Sequence, residues 1–101
     1  MVGAKRVYVK VHKIGKDVIV AVCDEDLLGR VMEEKGVKFE IKEEFYRGEL
    51  VDVKRALELI GTGTIVNLVG ETIVNALAEK NEVIRLAVVE IAGVPHVQLI
   101  M

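Results

Sequence analysis

Two groups of residues have the types and spacing for chemistry. The first is Arg6, Tyr8, Lys10 and His12. Alternate residues of an extended chain share one face, so these four place cations beside one aromatic ring on a strand surface. Sheet-based RNA binders pair phosphate contact with base stacking in this way. Phe45, Tyr46 and Arg47, followed by Gly48, repeat the combination in a predicted loop. That loop suits stacking on a base or docking a protein, and equally suits two rings pinning the loop to the core.

The second group is Cys23, Asp24, Asn67, Glu71 and His96. These residues fall just beyond the ends of predicted strands, where open sheets hold ligands and helix N-termini present free amides. The residues converge on one pocket if those ends share one edge of the sheet. Each also has a plainer explanation. Cys23 closes an apolar run and reads as a small buried hydrophobe, or as a thiolate favoured by a following helix. His96, after Pro95, is a general base or a capping group. Asn67 caps a helix or satisfies a buried loop. Gly61, Gly63 and Gly70 make no phosphate loop, because Glu71 stands where that motif needs lysine.

Several chemistries are excluded outright. The chain has no serine, so it is no serine hydrolase, and Cys23 is its single cysteine, so it holds no internal disulfide and no Cys-x-x-Cys motif. With only His12 and His96, a histidine-based metal site would need carboxylates to complete it. No metal or cofactor is expected. There is no tryptophan, and Phe39, Phe45, Tyr8 and Tyr46 are the only aromatic rings. One glutamine and three asparagines beside many Lys, Glu, Val and Ile lean towards a thermophilic source.

Charge is unevenly spread over the 101 residues. Residues 1–16 carry five basic side chains and no acid, whereas the rest carry nine basic and 16 acidic ones. A basic strip on an acidic body can touch polyanions locally. It also describes a charged edge strand that discourages sheet-to-sheet aggregation. No apolar run approaches the roughly 18 residues a membrane span needs, and the N-terminus lacks the apolar stretch of a signal peptide. A cytoplasmic protein is the expectation.

Periodicity predicts the strands and helices that carry these residues. Strict alternation from Arg6 to His12, a turn at residues 13–17 and an apolar run from Val18 to Cys23 predict a hairpin whose second strand is the more central. Asp24 reads as an N-cap for a helix over about residues 25–35, with Leu27, Leu28, Val31 and Met32 on one stripe and Gly36 as its stop. A short strand at 37–41, a loop at 42–50 and a helix capped by Asp52 and closed by Gly61 come next. Residues 64–68 fit a strand, favoured by β-branched residues, or the start of a longer helix. A helix over 70–80, a strand over 83–91, a turn and a last strand over 96–100 complete the chain. This order predicts a single α+β domain, with a mixed sheet of five to six strands and three helices in one layer.

Four stretches occur together in order: 23–29 (Cys-Asp-Glu-Asp-Leu-Leu-Gly), 45–51 (Phe-Tyr-Arg-Gly-Glu-Leu-Val), 67–71 (Asn-Leu-Val-Gly-Glu) and 93–98 (Gly-Val-Pro-His-Val-Gln). This set resembles a family of small archaeal proteins catalogued as domain of unknown function 424, over nearly the whole chain. The resemblance implies an archaeal, cytosolic, stand-alone domain. It assigns no catalytic residues, and it carries an association with RNA or translation. The leading expectation is therefore a binding module for RNA or a ribonucleoprotein. The alternatives are a protein-interaction or regulatory subunit, and a small-ligand binder or enzyme built on the second group.

Overall fold

A computed structural model describes residues 5–101. The hairpin forms as predicted from β1 (Arg6–Ile14) and β2 (Asp17–Asp24), paired antiparallel from Val7 opposite Asp24 to Ile14 opposite Asp17. Further strands are β3 (Val31–Glu34), β4 (Val37–Glu40), β5 (Glu49–Asp52), β6 (Ile65–Val69), β7 (Val89–Ile91) and β8 (Val94–Ile100). Three α-helices are described: the single turn α1 (Glu43–Tyr46), α2 (Val53–Ile60) and α3 (Glu71–Lys80). Six strands make one mixed sheet in the order β5-β1-β2-β6-β8-β7, and β3 and β4 form a separate ribbon. Only β2 and β6 run parallel within the main sheet.

Strand alternation sends side chains to two different cores. Val7, Val9, Val20, Val22, Val66, Leu68 and Val97 meet Ala56, Ile60, Ile73, Val74 and Ala78 of α2 and α3. Those two helices, of the three predicted, form a single layer. Ala21, Cys23 and Val69 face the other way, onto Leu27, Met32, Ile41 and Tyr46 from the ribbon, its flanks and α1. Both faces of the central strands are thereby covered, which explains the unbroken apolar run of β2.

The expected helix at 25–35 is absent. A 3-10 turn occupies Glu25–Leu27, and β3 and β4 follow. Gly29 has φ +81° and its amide donates to the Ile41 carbonyl at 2.8 Å, while the Ile41 amide donates to the Arg30 carbonyl, so the chain is clamped into a hairpin neck. Lys35 and Gly36 both take positive φ, the geometry of a tight hairpin turn, so Gly36 turns a ribbon rather than stopping a helix. Two further elements differ. The loop at 42–50 contains α1 and the start of β5. The strand expected over 83–91 is a 3-10 segment, Glu82–Ala87, followed by three-residue β7. Asn81 starts that segment by accepting the Val83 amide, and of its side chains only Ile84 is buried. Finally, β1 is not simply an edge strand. β5 pairs with Arg6–Val9, leaving only its second half as an edge.

Candidate functional site

The strand directions settle where the second group lies. β2 and β6 run parallel and β8 runs antiparallel to β6, so the end of β2, the end of β6 and the start of β8 share one edge of the sheet. The Gly70 amide donates to the Pro95 carbonyl at 2.9 Å and closes that edge. A cavity of about 470 Å³ opens there, lined by Arg6, Asp24, Asp26, Glu71, Thr72 and Pro95 among others.

Asp24 acts as a cap, but for a different helix from the one expected. Its carboxylate accepts the Thr72 amide at 2.9 Å and the Ile73 amide at 3.1 Å, joining the end of β2 to the first turn of α3. Burial lifts its pKa above the usual carboxylate value, against the pull of those two amides. Gly70 (φ +115°) makes room for this contact, since a Cβ there would overlap the Asp24 carboxyl group. The N-terminus of α3 is thus filled by the protein's own carboxylate. The cavity in front of it is acidic, with Arg6 paired to Glu25 at 3.4 Å. It offers no ready anion site.

Asn67 and His96 turn to the opposite face, away from α2 and α3. Asn67 of β6 stands opposite Gln98 of β8, and Val69 stands opposite His96. Directly opposed Cβ atoms lie about 4.5–5.5 Å apart and diagonal neighbours about 7–8 Å, so Asn67, Gln98 and His96 are within reach of one another. They line a second cavity of about 300 Å³ with Phe39, Tyr46 and Val89. Among the described residues no Lys, Arg, Asp or Glu contributes to its wall. Phe39 packs edge-on against the His96 ring at 4.4 Å between centroids. His96 Nε2 is buried and meets no hydrogen-bond partner among the described residues. Burial also lowers the His96 pKa, which keeps the ring neutral. Tyr46 has its phenol pushed up to about 12 by burial and by nearby Cys23, so it remains a protonated donor.

Cys23 itself joins neither cavity. It is fully buried, and burial, then Asp24 and Asp26, push its thiol up to about 12. The thiol is an inert part of the core. The five residues of the second group therefore divide three ways: Asp24 and Glu71 at the acidic cavity, Asn67 and His96 at the neutral one, and Cys23 beneath the surface.

The first group is largely tethered. Lys10 Nζ donates to the Glu44 carbonyl at 2.8 Å, and His12 Nε2 donates to the Phe45 carbonyl at 2.9 Å. The His12 ring stacks on Phe45 at 5.0 Å, and Phe45 in turn meets Tyr46 edge-on at 4.9 Å. Tyr8 is half-buried against the second core. Arg47 stays exposed, paired with Glu43 at 3.1 Å one helical turn away. The two aromatic-cationic stretches thus pack on each other, α1 covering the exposed face of β1. Sequence reasoning did not single out Phe39 or Gln98 as site residues. For Gln98 the signal was available, since it sits two residues beyond His96 in an alternating strand. For Phe39 there was none, because it arrives on a ribbon the local pattern did not predict. Among the described residues no group of three or more His, Cys, Asp and Glu side chains is placed to hold a metal ion.

An open mixed sheet with two helices on one face and a ribbon with a one-turn helix on the other defines a small α/β domain. A family model described as a protein of unknown function, DUF424, matches residues 12–101, and the chain belongs to that family. It is similar to a crystal structure of an uncharacterized conserved protein from Methanopyrus kandleri, at 33% identity, with a TM-score of 0.77, covering 93% of this chain and 90% of that one. No curated protein matches the chain. No helix among the described residues is long and apolar enough to cross a membrane.

Proposed function

We propose that the protein is a small-ligand-binding domain whose site is the neutral cavity at Asn67 and His96. The observation that carries this reading is the cavity itself, whose uncharged wall among the described residues brings the Asn67 and Gln98 carboxamides together with the neutral His96 ring. Asn67, Gln98 and the Tyr46 phenol supply further donors and acceptors on an otherwise apolar wall, the usual composition of a ligand pocket. The test is an NMR titration of the full chain with a library of uncharged fragments. Saturable shifts at Asn67, His96 and Gln98 are expected. A library that moves none of these resonances refutes the reading.

A second reading places RNA or a ribonucleoprotein against the first hairpin. Its support is that Lys5, Lys13 and Lys16 are exposed and make no ion pair among the described residues. Their charge is free to meet phosphates, whereas Arg6 and Lys10 are already engaged. Fluorescence anisotropy with single-stranded RNA at about 0.05 and 0.3 M salt tests it. Binding that falls steeply with salt, and weakens further in Lys13→Ala with Lys16→Ala, is expected. Binding indifferent to both removes this surface.

A further inference from the structure

We infer that the ligand of the Asn67–His96 cavity is an uncharged planar heterocycle of the nucleobase type, taken as a free nucleoside or as an unpaired base of a single strand. This rests on the ligand-binding reading above.

Charge is the first argument. Among the described residues the wall contains no ionised side chain, so a phosphate, carboxylate or ammonium group would be buried without a counter-charge, at a large desolvation cost. Size is the second. At about 300 Å³ the cavity lies at the small end of ligand pockets and suits one ring system. Any sugar or phosphate must remain outside.

Hydrogen-bonding pattern is the third argument. Asn67 and Gln98 are register partners on neighbouring strands, so two carboxamides project from adjacent points on one face. Each carboxamide presents an acceptor oxygen next to a two-proton donor. That pair is complementary to a ligand edge carrying a donor beside an acceptor, as adenine does at N6 and N7. The neutral, half-buried His96 ring adds polar aromatic surface to the same wall. The rings of Phe39 and Tyr46 complete the lining with aromatic surface on which a flat heterocycle can pack. Gln98 is exposed and Asn67 half-buried, so the amide edge opens to solvent. A base can therefore enter while its sugar stays outside.

The experiment is a heteronuclear NMR titration of the full chain with adenosine, uridine, benzamide and a single-stranded adenine-rich hexanucleotide. Adenosine is expected to shift Asn67, Gln98 and the His96 ring saturably. Asn67→Ala should weaken it about tenfold or more, as loss of one bidentate amide contact does in base recognition. Gln98→Ala, at an exposed position, gives a second test that does not depend on Asn67→Ala folding. A hexanucleotide that binds at least tenfold more tightly than adenosine, with salt dependence, identifies an unpaired base as the source. Equal or weaker binding identifies the free nucleoside. If benzamide or another uncharged fragment binds and neither nucleoside nor hexanucleotide does, the heterocycle assignment falls while the ligand-binding reading stands. If nothing binds there, both fall. Adenosine binding left unchanged by both substitutions also overturns the assignment.

Discussion

Asp24 is the residue whose removal tests the architecture most directly. Its two carboxylate oxygens accept one backbone amide each, Thr72 N at 2.9 Å and Ile73 N at 3.1 Å, across 48 and 49 residues of sequence. Asp24→Ala leaves both amides without their acceptor. The Ile73 amide is buried and bears the full penalty of an unsatisfied donor, whereas the half-buried Thr72 amide recovers part of its loss from water. With about 1–3 kcal/mol for a buried donor and about 1 kcal/mol for a lost cap, the expected destabilisation is about 2–4 kcal/mol. The desolvation of the carboxylate, evident in its raised pKa, works in the other direction and argues for the lower half of that range. Asp24→Asn keeps one acceptor oxygen and turns an N–H towards the second amide, so it should lose about half as much. For a domain with a urea slope of about 2 kcal/mol per molar, the alanine variant's midpoint should fall by about 1–1.5 M. Urea unfolding followed by circular dichroism measures this. A midpoint within about 0.2 M of wild type, or an Asn variant as stable as Asp, would show that the cross-chain cap contributes little and that the reasoning is wrong.

Three further outcomes follow from the same structure. Gly48→Ala should destabilise by about 1–3 kcal/mol, as overpacking does, because its Cβ would meet the Val9 carbonyl and lie 2.9 Å from Lys10 Cα. Backbone there cannot yield cheaply, and a variant of unchanged urea midpoint would contradict the pairing of β5 with β1. Cys23, buried and with its thiol pushed up to about 12, should react with a disulfide reagent at pH 8 at least about a hundredfold more slowly in the native protein than in urea. Comparable rates would mean that the thiol is accessible. The lowered pKa of His96 means that the unfolded chain binds its proton first as pH falls. Wild type should therefore lose stability as pH drops from about 6.5 through the lowered folded value, relative to His96→Gln. Urea midpoints of the two proteins between pH 8 and 5 check the sign, and parallel curves would refute it.

Much of the frame was legible because it depends on local rules. Alternation in Arg6–His12 and the apolar run at 18–23 follow from strand pleating and from burial on two faces. Asp52 capping α2, confirmed by its acceptance of the Arg55 amide at 2.8 Å, needs only three residues of context. β6 and α3 followed from β-branched density and a helical stripe. The residues of the neutral cavity were partly legible too: Asn67 and His96 stood out as polar groups, but they lie within β6 and β8 rather than beyond strand ends, because both strands extend past the predicted limits.

Long-range geometry decided the rest. Asp24-Glu25-Asp26 followed by Leu27, Leu28, Val31 and Met32 has the composition of a helix start. Yet the Asp24 carboxylate is drawn to α3 in space, and Gly29 with Ile41 clamps the next ten residues into a ribbon. No local propensity encodes a partner 48 residues away. The basic face of β1 likewise satisfied every sequence rule for an exposed surface until α1 folded over it, tying Lys10 and His12 to backbone carbonyls. Strand direction did the most for function. Whether Asn67 meets His96 depends on β6 and β8 running antiparallel in one register, and a slip of one residue would have sent His96 to the helical face. Side-chain periodicity, a local property, sorted the residues into those that meet the core and those that meet water. Which polar residues meet one another came from strand order and register, and these are settled by the packing of the whole chain.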